Sequence, residues 1–121
     1  MLIKILKGKL HRARVTDAKL GYAGSILIDS SLMEAAGILP YESVLVSDIT
    51  NGNRLETYAV AAEANSGQVV VLGAAAQLIK AGDIIIIFSF AYCTNEEVKT
   101  LKPKVIVLDE NNKIKTADKN S

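Results

Sequence analysis

The chain has 121 residues and a mass of 12.9 kDa, which is the size of one domain with one hydrophobic core. Half of the residues are hydrophobic, 22% are charged and the formal net charge is +1, so the chain lacks the strongly basic surface of nucleic-acid-binding proteins. We therefore expect no nucleic-acid partner. A single cysteine, Cys93, and a single histidine, His11, exclude an internal disulfide and argue against a metal site.

The N-terminal segment MLIKILKGKLHRARV is interrupted by lysines and does not resemble a signal peptide. No segment approaches the ~18 consecutive apolar residues of a membrane span. These features predict a cytoplasmic protein without a membrane partner. The phosphate-binding motifs GxGxxG and GxxxxGK[ST] are missing from the sequence, so we expect no nucleotide cofactor.

In the first third of the chain the pattern predicts two strands and one short helix. Residues 2–13 alternate loosely and favour a strand with a bulge near Gly8. Residues 25–28 form a second apolar run. In the segment that follows, Ser31 is predicted to be a helix N-cap with Glu34 completing a capping box, and Gly37 is placed to end the helix.

The middle of the chain predicts a β-hairpin, because two alternating runs flank the sequence TNGN and an Asn-Gly pair is a strong hairpin signal. Alternation along the second strand predicts which side chains share a face. One face carries Arg54, Glu56 and Tyr58, and the other carries Leu55, Thr57 and Ala59.

The remaining sequence predicts a strand at residues 68–72, a short helix or turn ending at Gly82, and a long strand at residues 83–93. Because that long strand is continuously apolar, we expect both of its faces to be buried. A short helix and a last strand at residues 104–108 follow. The prediction is a mainly β domain over residues 1–109, a small barrel of six or seven strands, with a flexible polar tail at residues 110–121.

Gly24 and Ser25 precede the second strand, and such a pair most often forms nothing more than a turn. The pair is also suited to intramolecular acyl transfer, because glycine leaves its carbonyl accessible and the serine hydroxyl is tethered beside it. Attack would convert the peptide bond to an ester. Loss of the Ser25 α-proton would expel that ester and leave dehydroalanine, which hydrolyses to a pyruvoyl group with release of ammonia.

Four motifs distinguish these interpretations: GKxHRxxVT from Gly8, YxGS from Tyr22, TNGxRxxTY from Thr50 and GAAA from Gly73. In this order and spacing they resemble the pyruvoyl-dependent aspartate 1-decarboxylases, over about residues 1–112. The resemblance implies a double-psi β-barrel that assembles as a homotetramer with active sites between subunits. It also implies L-aspartate as the substrate and β-alanine, a precursor of pantothenate, as the product.

The resemblance further implies that the chain cleaves itself between Gly24 and Ser25 into residues 1–24 and 25–121. Ser25 would become a covalently bound pyruvoyl group that forms a Schiff base, an imine, with the substrate amine, with no metal and no pyridoxal phosphate. Tyr58 would donate the proton after CO₂ leaves. The implied substrate-binding residues are Lys9, Arg54, Thr57, Gly73, Ala74 and Ala75, and His11 and Tyr22 would line the same pocket.

Two positions depart from the family pattern. Leu72 stands where family members carry asparagine, and Ser47 where they often carry tryptophan. Two other functions remain to be separated from decarboxylation. One is a barrel that binds or oligomerises without cleaving. The other is a self-cleaved amidohydrolase that retains a free N-terminal serine.

Overall fold

The computed structural model describes residues 1–118 and confirms the mainly β prediction. It contains nine strands, where the sequence predicts six or seven. The two additional strands are β2 and β9. The strands are β1 (Ile3–Arg14), β2 (Asp17–Lys19), β3 (Ser25–Asp29), β4 (Ser43–Asp48), β5 (Arg54–Ala62), β6 (Val69–Leu72), β7 (Ile84–Cys93), β8 (Lys104–Leu108) and β9 (Ile114–Asp118), and the helices are α1 (Ser30–Ala36), α2 (Asn95–Thr100) and a 3₁₀ helix at Gly73–Gln77.

The strands form one sheet in the order β2-β6-β3-β5-β4-β7-β1-β8-β9. The chain leaves β1 and joins the other half of the sheet directly, since the Val15 N–H donates to the Asp83 carbonyl and the Thr16 N–H donates to the Val69 carbonyl. Both halves bury side chains in one core, so the sheet wraps around that core, in agreement with the expected barrel architecture. Core side chains include Leu10, Ile26, Ile28, Val46, Val71, Ile85, Ile87 and Ile106.

The predicted bulge near Gly8 is confirmed. Pairing of β1 with β7 shifts register between Leu6 and Gly8 and again between His11 and Ala13. A Cβ at position 8 would lie 2.0 Å from the Ala36 carbonyl oxygen. Glycine is therefore required where β1 passes beneath the end of α1.

The predicted N-cap of α1 is wrong, because Asp29 takes that place in the structure. Its carboxylate accepts hydrogen bonds from the backbone N–H groups of Ser31 (2.9 Å), Asn65 (3.0 Å) and Gly67 (2.9 Å). Burial raises the pKa of Asp29, but these bonds and that from the Ser31 hydroxyl outweigh burial and lower it. The Asp29 carboxylate also accepts hydrogen bonds from a loop that is distant in sequence. It is therefore favoured as the cap over the local capping box of Ser31 and Glu34.

The C-terminal end of α1 agrees with the prediction, since Gly37 has a left-handed backbone with φ 73°. A capping box does occur in the molecule, at α2, where Thr94 and Glu97 exchange hydrogen bonds. Neither helix exceeds seven residues. Within residues 1–118, no helix has the length and apolar character needed to cross a membrane.

The predicted hairpin forms between β4 and β5, but five residues, 49–53, connect the strands. The Asp48 N–H donates to the Asn53 carbonyl at 2.8 Å. Side chains extend the turn, because Asp48 accepts from the Thr50 N–H and Asn51 accepts from the Asn53 N–H. Gly52, with φ 80°, supplies the left-handed residue that the turn needs.

The prediction that β7 is buried on both faces is wrong for the isolated chain. Ile85, Ile87 and Ser89 are fully buried in the core, whereas Ile86 and Phe88 on the opposite face are only partly covered. No described element packs over that outer face. The prediction differs from the structure because the apolar outer face of β7 has no second layer over it.

The sequence predicts a flexible polar tail from residue 110, whereas the structure places Ile114–Asp118 in β9, antiparallel to β8. Asn112 explains the difference. Its side chain accepts from the Arg14 N–H (2.8 Å) and donates to the carbonyls of Arg14 (2.9 Å) and Gly67 (2.8 Å). These partners are distant in sequence and invisible to local patterns. The end of the predicted tail, residues 119–121, lies outside the described residues.

A buried acidic pair lies at the base of the hairpin. Asp48 is 2% exposed, and its Oδ2 atom is buried without a hydrogen-bond partner among residues 1–118. The Asp83 side chain lies within hydrogen-bonding reach. Burial and this acidic neighbour raise the pKa of Asp48, and the same contact lowers the pKa of Asp83. We infer that the pair shares one proton, which the raised pKa of Asp48 favours on that side chain.

We predict that Asp48→Asn stabilises the protein at neutral pH, because an amide donates to Asp83 without requiring a proton. In the wild type, the stability from the bound proton is complete below the unfolded pKa of about 4. It is lost as the pH rises through the raised folded value. The gain in unfolding free energy should therefore grow with pH and reach about 1–3 kcal/mol.

Chemical denaturation over a pH series measures this gain. Glu63→Gln removes one negative charge from an exposed position and is the matched control, for which no such growth is expected. A constant difference between Asp48→Asn and the wild type across the pH series would contradict the shared proton.

Candidate functional site

Gly24 and Ser25 lie where β3 begins against the end of β6. Ser25 pairs with Leu72 and is 6% exposed, while Gly24 is exposed. Gly73, with φ 85°, packs directly on this segment, since a Cβ there would lie 2.7 Å from Gly24 Cα and 2.8 Å from the Tyr22 carbonyl oxygen. Only glycine permits this approach. The structure therefore brings the predicted cleavage bond and the GAAA motif together.

The rest of the GAAA motif forms the 3₁₀ helix Gly73–Gln77. Ala74 is exposed, Ala75 is partly buried and Ala76 is buried in the core. The Ala75 carbonyl accepts from the N–H groups of residues 78 and 79, each at 3.0 Å. Ala74 and Ala75 thus follow Gly73 on a rigid turn whose small side chains leave room beside the cleavage segment.

Tyr22 and Leu72 adjoin the predicted cleavage segment. Both line a surface cavity of about 460 Å³. The Tyr22 ring is 57% exposed and lies 5.9 Å from Lys19 Nζ, a cation–π contact. Leu72 presents an apolar side chain next to Ser25, so this position offers no amide to the cleavage bond or to a substrate.

Tyr58 and Thr57 lie on β5, with Tyr58 exposed at 39% and Thr57 partly buried. Their alternation is as predicted, and the sequence leaves open how both could reach one pocket. Both line the same open groove of about 550 Å³, together with Tyr41, Ser43 and Glu56. The groove lies at the edge between the two faces of the strand, so opposite side chains can contribute to it.

Parallel pairing of β3 with β5 brings Tyr58 next to the cleavage site. Ile26 is the register partner of Ala59, so the residues one step earlier, Ser25 and Tyr58, are neighbours across the two strands. The groove at Tyr58 and the segment backed by Gly73 therefore belong to one region. We call this region the cleavage cluster: Tyr22, Gly24, Ser25, Thr57, Tyr58, Gly73, Ala74 and Ala75.

Three other predicted site residues lie farther along the outer face of the sheet formed by β1, β7, β4 and β5, the face on which Tyr58 also lies. The register aligns them in two neighbouring rows that cross these four strands. Lys9 Nζ lies 5.8 Å from the Phe88 ring centroid. The rows are His11, Ile86, Ser47 and Arg54, and Lys9, Phe88, Leu45 and Glu56; we call Lys9, His11 and Arg54 the cationic cluster.

The cationic cluster is separated from the cleavage cluster within the chain. Arg54 is four residues from Tyr58 on one strand, about 13 Å, and Lys9 lies three strands away from β5, about 14 Å. These distances are measured between backbone positions, and they separate the two clusters along the sheet. The structure thus gathers the predicted site residues into two groups and does not bring those groups together.

The outer face also contains polar atoms without partners. His11 Nδ1 and Ser47 Oγ are buried and make no hydrogen bond within the described part of the chain. Burial, and then the positive charges of Lys9 and Arg12, lower the pKa of His11. The His11 imidazole and the Ser47 hydroxyl therefore flank Ile86 with unsatisfied hydrogen-bonding capacity, which is costly for buried polar atoms.

The sequence does not predict the hydrogen bonds of two side-chain amides, which connect segments next to the two clusters. The side chains of Asn51 and Asn53 both donate to the Leu78 carbonyl, at 3.1 and 3.0 Å. They join the hairpin that carries Arg54 to the turn that follows Gly73–Gln77. The signal was present in the TNGN motif, which predicts a turn but does not reveal what its side chains bind.

The groove at Tyr58 also contains Tyr41 and Ser43, which the sequence does not single out, and Glu56, which is predicted to share a face with Tyr58. Tyr41 has a positive φ of 68°, a feature that no local pattern predicts for tyrosine. Among residues 1–118, no three histidine, cysteine, aspartate or glutamate side chains are grouped so that they could hold a metal ion.

Comparison with known proteins identifies the family. Residues 1–115 match the family described as aspartate decarboxylase. Aspartate 1-decarboxylase of Thermoanaerobacter pseudethanolicus is 57% identical over 109 residues, covering 90% of this chain and 93% of that protein. Those of Caldicellulosiruptor saccharolyticus (54%; 94% and 89% covered) and Campylobacter jejuni RM1221 (53%; 93% and 88%) are similarly close. The chain that packs Gly24 and Ser25 against Gly73 therefore belongs to the aspartate decarboxylase family.

Proposed function

We propose that this protein decarboxylates L-aspartate to β-alanine and CO₂, supplying β-alanine for pantothenate, after cleaving itself between Gly24 and Ser25. One observation carries the proposal. Gly73 supports the backbone at Gly24, and β-sheet register places Tyr58 beside Ser25. A nucleophile, an accessible carbonyl and an acid thus lie together in a chain of the aspartate decarboxylase family.

Self-cleavage is supported by the surroundings of the bond. No atom outside the neighbouring residues lies within 4 Å of a Cβ built on Gly24, so the carbonyl can tilt toward the Ser25 hydroxyl. Gly73 supports the opposite side of this segment. Attack of the tethered hydroxyl on the carbonyl is unimolecular and gains a large effective molarity. Elimination then releases residues 1–24 with a terminal carboxylate, and water replaces the nitrogen of Ser25, which leaves as ammonia.

The residues present fit a pyruvoyl group at position 25, because the position begins a strand that is backed by glycine and lined by small side chains. Such a ketone supplies an electron sink for the carbon that loses CO₂. The chain's own residues bind and protonate. Arg54 can hold a substrate carboxylate through two parallel hydrogen bonds, Lys9 adds a second cation, and Tyr58 can donate a proton to carbon.

Because one chain separates these residues into two clusters, we propose a homotetramer whose active sites lie between subunits. The cationic cluster of one subunit would complete the cleavage cluster of its neighbour. The partly exposed Ile86 and Phe88, together with the unsatisfied atoms of His11 and Ser47, support an outer face that a second chain covers.

Intact-mass spectrometry of the denatured protein and assay of β-alanine test the proposed function. We expect fragments of residues 1–24 and 25–121, the larger lighter by the difference between serine and pyruvoyl, and β-alanine from L-aspartate. Ser25→Ala should give one uncleaved chain and no product. A larger fragment that retains serine would favour an amidohydrolase, and an uncleaved wild type would favour a barrel that only binds.

We predict that Gly73→Ala slows cleavage at least about tenfold, because the added methyl group must displace the segment that holds the scissile bond. Gly82→Ala is the matched control. Gly82 also has a positive φ, 92°, but nothing lies within 4 Å of its Cβ position. The two variants therefore share the backbone penalty and differ in the contact. Equal cleavage rates, followed by gel electrophoresis on the folded fractions, would contradict a positioning role for Gly73.

Co-expression of Ser25→Ala and Arg54→Ala chains tests the shared site. Neither variant should be active alone. In mixed assemblies, each site has about a one-in-two chance of an intact cleavage cluster and about a one-in-two chance of an intact cationic cluster. About a quarter of the sites should therefore be intact, and about a quarter of the wild-type activity should be recovered.

Ser25→Ala mixed with Tyr58→Phe is the control for this experiment. Ser25 and Tyr58 belong to one cluster of one chain, so no mixed site contains both and activity should not recover. Recovery in both mixtures, or in neither, would contradict the proposed division of the site.

A further inference from the structure

Tyr41 has an unusual backbone conformation. Four residues other than glycine have a positive φ within residues 1–118: Arg12, Tyr41, Asn65 and Asn112. Asparagine tolerates this region well, and Arg12 lies in a β-bulge. Tyr41 is the aromatic member of the group, with φ 68° and a ring that is 76% exposed. A bulky residue keeps such a conformation only where its surroundings impose it.

The surroundings of Tyr41 are the strand that carries Tyr58. The Tyr41 N–H donates to the Ala59 carbonyl at 2.7 Å, and the Ala59 N–H donates to the Glu42 carbonyl at 3.0 Å. These two bonds bracket the residue directly after Tyr58. The backbone at residues 41–42 is therefore fixed to β5 at the position of the proposed proton donor.

Glu42 anchors the same segment to the rest of the barrel. Its carboxylate accepts from Lys7 Nζ at 2.6 Å, from the Leu39 N–H at 3.0 Å and from the Ser89 hydroxyl. Ser89 is fully buried. Burial raises the pKa of Glu42, but the bonds from Lys7, Ser89 and Leu39 outweigh burial and lower it. An ionised carboxylate that accepts three hydrogen bonds thus connects β1, β7 and the Tyr41 segment.

This anchored segment presents the Tyr41 ring to Tyr58. The ring centroids are 6.5 Å apart with an interplanar angle of 36°, within the range of interacting aromatic pairs. Both rings line the groove beside Ser25. We propose that Tyr41 is a positioning residue for Tyr58, held in its conformation by Glu42 so that its ring confines the Tyr58 phenol to the orientation facing Ser25. This inference rests on the proposed role of Tyr58.

Two substitutions test the inference with aspartate as substrate. Tyr41→Asn removes the ring while favouring the left-handed backbone, so the fold is not penalised. We expect kcat of the processed enzyme to fall about tenfold, with KM changed less than about twofold. The reason is that a wrongly oriented Tyr58 slows proton transfer to the substrate carbon and leaves substrate binding unaffected. Tyr41→Phe keeps the ring and should retain kcat within about twofold.

A spectroscopic measurement separates this inference from the proposed function. In protein labelled with ¹³C at the tyrosine ζ carbon, the Tyr58 signal is assigned by its loss in Tyr58→Phe. We expect that signal to shift and broaden in Tyr41→Asn and to be preserved in Tyr41→Phe. An unchanged Tyr58 signal in Tyr41→Asn, or an unchanged kcat, would overturn the positioning role. Lack of β-alanine formation by the wild type would instead overturn the proposed function, while the signals would still decide the role of Tyr41.

Discussion

The close approach of Gly73 to the backbone at Gly24 is the contact on which the site depends. A side chain at position 73 would occupy the space of that backbone, so the end of β6 and the start of β3 could not lie together. Their register would then be lost where Ser25 meets Leu72. Because β3 also pairs with β5, the same contact determines where Ser25 lies relative to Tyr58. The absence of a side chain at position 73 thus sets the relative positions of Ser25 and Tyr58 on different strands.

Sheet geometry is the basis for the proposal that two chains share each site. Side chains on the outer face of β1, β7, β4 and β5 are spread along two rows, and the strand spacing keeps Lys9 about 14 Å from β5. No local rearrangement shortens that distance without breaking the register of the sheet. A second copy can bring the rows to the cleavage cluster and, in the same step, supply partners to His11 and Ser47. In the proposed tetramer, one interface would both bury the outer apolar face and complete the site.

Local features of the fold could be predicted from sequence, and long-range ones could not. Gly37 ends α1 as expected because its left-handed conformation is decided within one turn. The cap at Asp29 and the ordered end of the chain at Asn112 depend on partners many residues away. The candidate site shows the same contrast between local and long-range features. Motif resemblance identified Ser25 and its partners by type, but their separation into two clusters, and Tyr41 beside Tyr58, required the register of the sheet.

The Asn51 and Asn53 amides add a connection between the two clusters inside one chain. Both grip the Leu78 carbonyl, which directly follows the 3₁₀ helix whose first residue supports Gly24. The hairpin that begins β5 at Arg54 and the turn that follows Gly73–Gln77 are therefore linked by two hydrogen bonds at one carbonyl group. Contacts within one chain thus set the position of Arg54 relative to the position of Gly73 beside Gly24.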